Sequence, residues 1–239
     1  MAWACNREKI PCTIVLPSNT PKIKIDSIQN YNAKIVFCEP NPTSRVEVCD
    51  RVSKEENLLV IKPYDDYDVM CGQSTIAYEF LEQIPQLDAI LVSVSGGGLI
   101  SGIATYAKAI KPSIKIIAVE PIGKRLSQCL RSKKRNLDDK EAAFLNTKAE
   151  GIRTELCGNL TFPIISKYVE PDDVITVSDE EMLEASNFIL QRMKMVIELS
   201  AGAAVAAVLS EKMKLEYPNL QNIGVILCGG NIDVKIENF

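Results

Sequence analysis

Histidine is missing from all 239 residues. That absence excludes a Ser-His-Asp or Cys-His relay and any His-ligated zinc or iron site. Acid–base work falls instead to Lys, Glu, Asp, Tyr, Cys or a bound cofactor. The eight cysteines form no C-x-x-C pair, and Cys12, Cys38 and Cys228 lie in apolar runs, as buried free thiols of a reducing compartment do. No apolar run approaches the roughly 18–20 residues of a membrane span. The opening Met1-Ala-Trp-Ala-Cys runs straight into Asn6-Arg-Glu-Lys9, which is not the pattern of a signal peptide. A cytoplasmic protein is expected. Neither sign of charge dominates, with 27 basic against 31 acidic residues and a net charge of -4, so no nucleic-acid or anionic-membrane surface is expected. The one basic cluster, Arg131–Arg135, reads as a solvated loop.

What is present is a rhythm of short apolar strands and helices. Strands are expected at Cys12–Leu16, Lys34–Cys38, Leu58–Ile61, Ala89–Val94, Lys115–Val119, Val174–Val177 and Gly224–Leu227. Most are continuously apolar, as strands buried on both faces of a parallel sheet are. Helices are expected over 21–31, 68–83, 99–110, 180–195 and 201–216. Pro21 suits a first helical position, and Ser178 with Glu181 forms a capping box. The order argues for an α/β fold with right-handed crossovers. Proline-rich stretches at Pro40–Pro42 and Pro63–Asp66 point to two lobes divided near residue 64. Met1–Glu8 reads as the second half of a helix.

Three segments carry chemistry. Ser95-Gly-Gly-Gly-Leu-Ile-Ser-Gly102 follows a strand and opens a helix, where consecutive glycines let backbone N–H groups converge on an anion. It is neither a Walker A motif nor G-x-G-x-x-G, and a tight ligand-free turn is the bland alternative. Cys228-Gly-Gly-Asn231 ends the last strand, at the carboxyl edge where open parallel sheets bind ligands; a plain turn is equally open. Pro63-Tyr-Asp-Asp66, followed by Gly72-Gln-Ser-Thr-Ile-Ala77, reads by itself as a turn leading into an amphipathic helix.

In this order and spacing the three segments resemble the fold-type II pyridoxal-phosphate enzymes, and within them the serine racemases and serine/threonine dehydratases. Supporting stretches are Ile10-Pro-Cys-Thr-Ile-Val-Leu-Pro17, Phe37-Cys-Glu-Pro40, Ala118-Val-Glu-Pro121, Glu150-Gly-Ile-Arg-Thr154, Arg192-Met-Lys-Met-Val-Ile-Glu198 and Ser200-Ala-Gly202. The resemblance implies three-layer parallel sheets incomplete at the N-terminus, with residues 1–64 a remnant of a small domain and 65–239 a large cofactor-binding domain. It implies pyridoxal 5'-phosphate as cofactor. Ser95, Gly96, Gly97, Gly98 and Leu99 would hold its phosphate, Gly151 would lie beside its ring, and Cys228 would face the pyridine nitrogen. Arg45 and Thr154 would lie near a small amino-acid substrate such as serine or threonine. Glu120 and the carbonyl of Lys124 match two groups of a divalent-cation site (Mg2+), but the acid expected two positions on is Leu126. The alternative for Glu120 is a strand-end carboxylate facing water. A nucleotide (ATP) site in the family matches Lys194 and Asn231, and the family forms dimers.

The family's S-F-K-x-R-G-A segment, whose lysine carries the cofactor covalently and moves the α-proton, has no counterpart here, and neither has its S-S-G-N-H loop. No catalytic residue is therefore assigned. The expectation is an N-terminally shortened racemase/dehydratase with impaired turnover. A non-catalytic module that binds a phosphate ligand or pairs with an active homologue stands as the alternative. An unrelated nucleotide-binding Rossmann protein is a third reading, kept open because Glu120 ends the strand after the Gly-rich loop.

Overall fold

The computed structural model describes residues 1–233, which divide into two compact units, Met1–Val60 with the segment from Asn231, and Ile61–Gly230. The first unit runs α1 (Ala2–Arg7), β1 (Thr13–Pro17), α2 (Lys22–Asn30), β2 (Lys34–Cys38) and α3 (Pro42–Glu56). β1 and β2 pair in parallel with Thr13 opposite Lys34 and Pro17 opposite Cys38. The Pro40–Pro42 stretch is a helix start as well as a break. Asn41 accepts a hydrogen bond from the Ser44 amide, and Pro42 fills the first turn, where its missing N–H costs nothing. The expected strand Leu58–Ile61 does not form. Asn57 turns left-handed at φ 51°, and Leu58 is then held to Ser53 by both its N–H and its carbonyl, so its backbone partners are spent on ending α3.

The second unit holds α4 (Tyr67–Gln83), β3 (Ala89–Ser93), α5 (Gly98–Ile110), β4 (Lys115–Pro121), α6 (Leu126–Ser132), α7 (Thr161–Tyr168), β5 (Val174–Val177), α8 (Asp179–Met193), α9 (Leu199–Leu209), α10 (Glu211–Glu216) and β6 (Ile223–Val225). The sheet order is β5-β4-β3-β6 and every pairing is parallel. Side chains alternate along β3. Ile90, Val92 and Val94 join one buried cluster with α4, α5 and α7, while Ala89 and Leu91 join another with α8 and α9. The central strands are thus apolar on both faces because each face is covered by helices. The capping box of Ser178 and Glu181 starts α8 as expected. The expected helix 201–216 is two helices: Ser210 ends α9 and its hydroxyl accepts from Met213 N to start α10. Arg131 and Ser132 belong to the last turn of α6 rather than to a loop, and Arg131 pairs with Asp172 on the surface.

α4 and α5 approach each other at Gly102. A Cβ there would sit 2.3 Å from the carbonyl oxygen of Met70 and 2.8 Å from Ser74 N. Neither backbone atom can yield without moving α4. Gly102→Ala is expected to cost roughly 1–3 kcal/mol through overpacking. Chemical denaturation should show a lower midpoint with an unchanged slope.

All eight cysteines are free thiols, but burial is uneven: Cys38, Cys129 and Cys157 are buried, Cys12 and Cys228 only partly so, and Cys71 is exposed. Among the described residues no helix is long and apolar enough to cross a membrane.

Candidate functional site

The site is built at the carboxyl edge of the four-stranded sheet. β3 and β6 are parallel neighbours, so the segments following them, Ser95–Leu99 and Cys228–Gly230, leave from the same edge. β4 is the other neighbour of β3 and delivers Glu120 and Lys124 to that edge. This is where open parallel sheets place ligands.

The Gly-rich loop is sealed from outside. Gly97 adopts φ +95°, and a Cβ on it would meet Ile165 Cδ1 at 2.7 Å and Thr161 Oγ1 at 2.9 Å. A Cβ on Gly96 would lie 2.3 Å from the Tyr64 ring, and one on Gly98 would lie 2.9 Å from Tyr64 Cα. The Gly96 carbonyl accepts from Gly158 N at 3.0 Å and from Thr161 Oγ1 at 2.7 Å. Ser101 N, bonded to the Gly97 carbonyl, is the first amide of α5 to close a helical turn. Helix geometry therefore leaves the N–H groups of Gly98, Leu99 and Ile100 for an external acceptor, at the positive end of a 13-residue helix. This arrangement accommodates a phosphate-sized anion and is spoiled by any side chain at the glycines.

Two residues that sequence reasoning passed over hold the loop. Asp65 accepts from Asn159 N at 3.0 Å, Leu160 N at 2.8 Å and Thr161 N at 3.3 Å, capping α7 from a distant part of the chain. Its neighbour Asp66 caps α4 through Asp68 N at 2.8 Å. Pro63–Asp66 is thus a clasp between α4, α7 and the Gly loop, and more than a turn. Thr161 is wholly buried, accepting from Gly158 N at 2.8 Å while donating to Gly96. The signal for it was available: Thr161 opens a helix with Pro163 in its first turn. Thr161→Val keeps the shape and removes both bonds. It is expected to cost about 1–3 kcal/mol, read as a lower unfolding midpoint.

Cys228 follows β6. Burial, the largest effect, pushes its thiol above the ordinary range, and the nearby Glu198 carboxylate pushes the same way, against a backbone hydrogen bond. The folded chain therefore keeps Cys228 as a neutral S–H through neutral pH. Thiolate forms only as pH rises past the range of a free cysteine. Alkylation mapped by peptide mass spectrometry should label Cys228 more slowly than the exposed Cys71, with its rate climbing at higher pH than in the denatured chain. Next to it, Gly229 takes φ +85° and accepts from Glu198 N at 3.0 Å.

Gly151 lies in a single 3-10 turn and donates its N–H to the hydroxyl of buried Ser200 on α9 at 2.9 Å. A Cβ at Gly151 would come within 2.8 Å of that hydroxyl. Thr154 is half-buried; it bridges Phe144, and its carbonyl accepts from Lys124 Nζ at 2.8 Å. Glu120 does not face water: it is 2 % exposed. One of its oxygens accepts from Leu126 N at 2.6 Å, the other from Thr176 Oγ1 at 3.1 Å. Burial raises its carboxyl above the usual range, opposed first by the Leu126 and Thr176 donors and then by the charge of Lys124. Arg45 stands on α3 of the first unit. At the end of β3 the buried Ser93 hydroxyl has no hydrogen-bond partner among the described residues. Among the described residues no group of three or more His, Cys, Asp or Glu side chains is placed to hold a metal.

A sequence profile described as "Pyridoxal-phosphate dependent enzyme" matches residues 1–229. Human serine racemase is 40% identical over 234 residues, covering 98% of this chain and 67% of the relative. A crystal structure of a pyridoxal 5'-phosphate-dependent aspartate racemase superposes with a TM-score of 0.94 at 47% identity, over 97% of this chain and 70% of that one. Maize serine racemase superposes at 0.89 with 36% identity, over 98% and 70%.

Proposed function

The chain belongs to the pyridoxal-phosphate dependent enzymes, in the family of the serine racemases and dehydratases, and we propose that it seats pyridoxal 5'-phosphate at the carboxyl edge of its four-stranded sheet to act on a small amino acid such as serine or threonine. The observation that carries this reading is the sealed Gly loop at the start of α5: the glycine Cβ positions are filled by Tyr64, Thr161 and Ile165, which leaves its amides for a phosphate.

In this reading the main chain of Ser95, Gly96, Gly97, Gly98 and Leu99 holds the phosphate, and Gly151 leaves room beside the ring. The bound cofactor supplies a sink for electrons released at the substrate α-carbon. Cys228 faces the ring nitrogen as a neutral thiol, so it offers no charge to hold a proton there. Thr154 binds substrate. Residues 1–64 form the small domain and 65–239 the cofactor domain, in a dimeric cytoplasmic protein; the eight free thiols suit a reducing compartment.

No S-F-K-like segment occurs among the 239 residues. We therefore expect the chain by itself to bind the cofactor without a covalent bond and to turn over poorly. Adding the cofactor should produce a saturable absorbance change, and borohydride followed by dialysis should remove it. L-serine, L-threonine and L-aspartate should then give little pyruvate, 2-oxobutyrate or D-amino acid. L-aspartate is included because of the likeness to an aspartate racemase. A borohydride-fixed adduct or brisk turnover overturns the expectation. ATP added to the same assay tests the nucleotide response that Lys194 would mediate. A second reading makes the chain a non-catalytic partner of an active homologue, tested by co-purification with that homologue.

A further inference from the structure

The divalent-cation site that the resemblance implies does not fit the residues present, and the geometry points to the Lys124 ammonium as the internal cation that joins this edge of the sheet to the loop at Thr154 and Glu155 in its place. Lys124 is 3 % exposed. Its Nζ donates to the carbonyl of Thr154 at 2.8 Å and to that of Glu155 at 3.1 Å. A fixed ammonium directed at two carbonyl oxygens does what a hard cation does with the same ligands, with the charge supplied by the chain itself.

Three observations count against an added ion. Both Glu120 oxygens already accept from Leu126 N and Thr176 Oγ1, and Leu126, buried in the core, offers no ligand. The cavity beside Lys124, walled by Leu126, Cys129, Arg135, Glu155, Cys157 and Phe162 and not by Glu120, has a volume of ≈ 10 Å³. That is room for one water, whereas Mg2+ is bound with several of its waters. Lastly, a second cation would be repelled by the first at close range in a low-dielectric setting.

The tether also explains how a loop without regular structure is held. Arg125 grips Asp138 with its Nη2 at 2.7 Å, and Arg135 donates to the Cys157 carbonyl at 3.0 Å. Lys124 is the buried member of these three and the one attached to Thr154. It is a positioning residue: it acts on the site through the Thr154 carbonyl. The tether stands independently of the cofactor reading; only the cofactor arm of the test below rests on it.

The test uses the whole chain. The unfolding midpoint of the unaltered protein in EDTA should equal that in millimolar MgCl2 or CaCl2. A rise of several degrees with either cation overturns the proposal. Lys124→Ala should lower the midpoint. It should also become sensitive to divalent cations, because truncation frees the two carbonyls and the space the ammonium filled. A lysine that merely packs gives a variant that is destabilised but blind to cations, and that result also overturns the proposal. At a temperature where Lys124→Ala is folded, pyridoxal 5'-phosphate should bind roughly tenfold more weakly, the equivalent of one charge-assisted hydrogen bond. If cation sensitivity appears while cofactor affinity is unchanged, the tether survives and only its link to the cofactor site fails. If the unaltered protein binds no cofactor at all, the cofactor reading fails while the cation arms still decide the tether.

Discussion

Gly97→Ala should abolish most binding of pyridoxal 5'-phosphate while leaving the helical content intact. Gly97 sits at φ +95°, in the left-handed region that costs an L-residue roughly 1–2 kcal/mol. The new methyl would also meet Ile165 Cδ1 at 2.7 Å and Thr161 Oγ1 at 2.9 Å, an overpacking cost of about 1–3 kcal/mol. The loop relieves both by rotating its amides away from the phosphate. Since about 1.4 kcal/mol is tenfold in affinity, a loss of at least 30-fold is expected on these grounds, measured by cofactor fluorescence titration. Gly98→Ala should weaken binding by a different route, because its Cβ meets Tyr64 Cα at 2.9 Å and pushes the 63–66 clasp off the loop.

Asp65→Ala should have the larger effect on stability. One carboxylate accepts from three consecutive amides at the start of α7, where the helix dipole also favours a negative charge. Losing a cap of this kind costs about 2 kcal/mol. For a domain of this size that lowers the melting temperature by roughly 4–8 °C. Asp65→Asn keeps an acceptor oxygen and should lose about half as much. Cofactor affinity should fall in parallel, because Thr161, released from Asp65, no longer fixes the Gly96 carbonyl. Calorimetry of the two variants, with and without cofactor, separates these effects.

Most of the sheet strands were legible because they are largely apolar and β-branched; Lys34–Cys38 and Val174–Val177 form as read. α3 was hidden because its start signal, Asn41-Pro42, looks like loop punctuation when only the prolines are weighed. The run Leu58–Ile61 is misleading for the opposite reason. Its composition suits a strand, yet a left-handed Asn57 commits its backbone to the end of α3. In the site, the Gly loop and Cys228 were readable as strand-end motifs. The residues that hold them were less so. Asp65 and Thr161 are 96 positions apart in sequence; Thr161 is marked only as a helix start, and Asp65 acts through backbone amides, which leave no trace in residue type. For Lys124 the resemblance points to the carbonyl, whereas it is the side chain that reaches Thr154 and Glu155.

The central claim is that the Gly loop recognises a phosphate. Its most direct test is the affinity of the unaltered chain for pyridoxal 5'-phosphate against pyridoxal, which lacks only that group. The account predicts saturable binding of the phosphate ester, at least about 100-fold tighter than pyridoxal, as expected for charge-assisted hydrogen bonds from several amides at a helix start. Equal affinity for the two compounds, or no saturable binding of the ester, would contradict it.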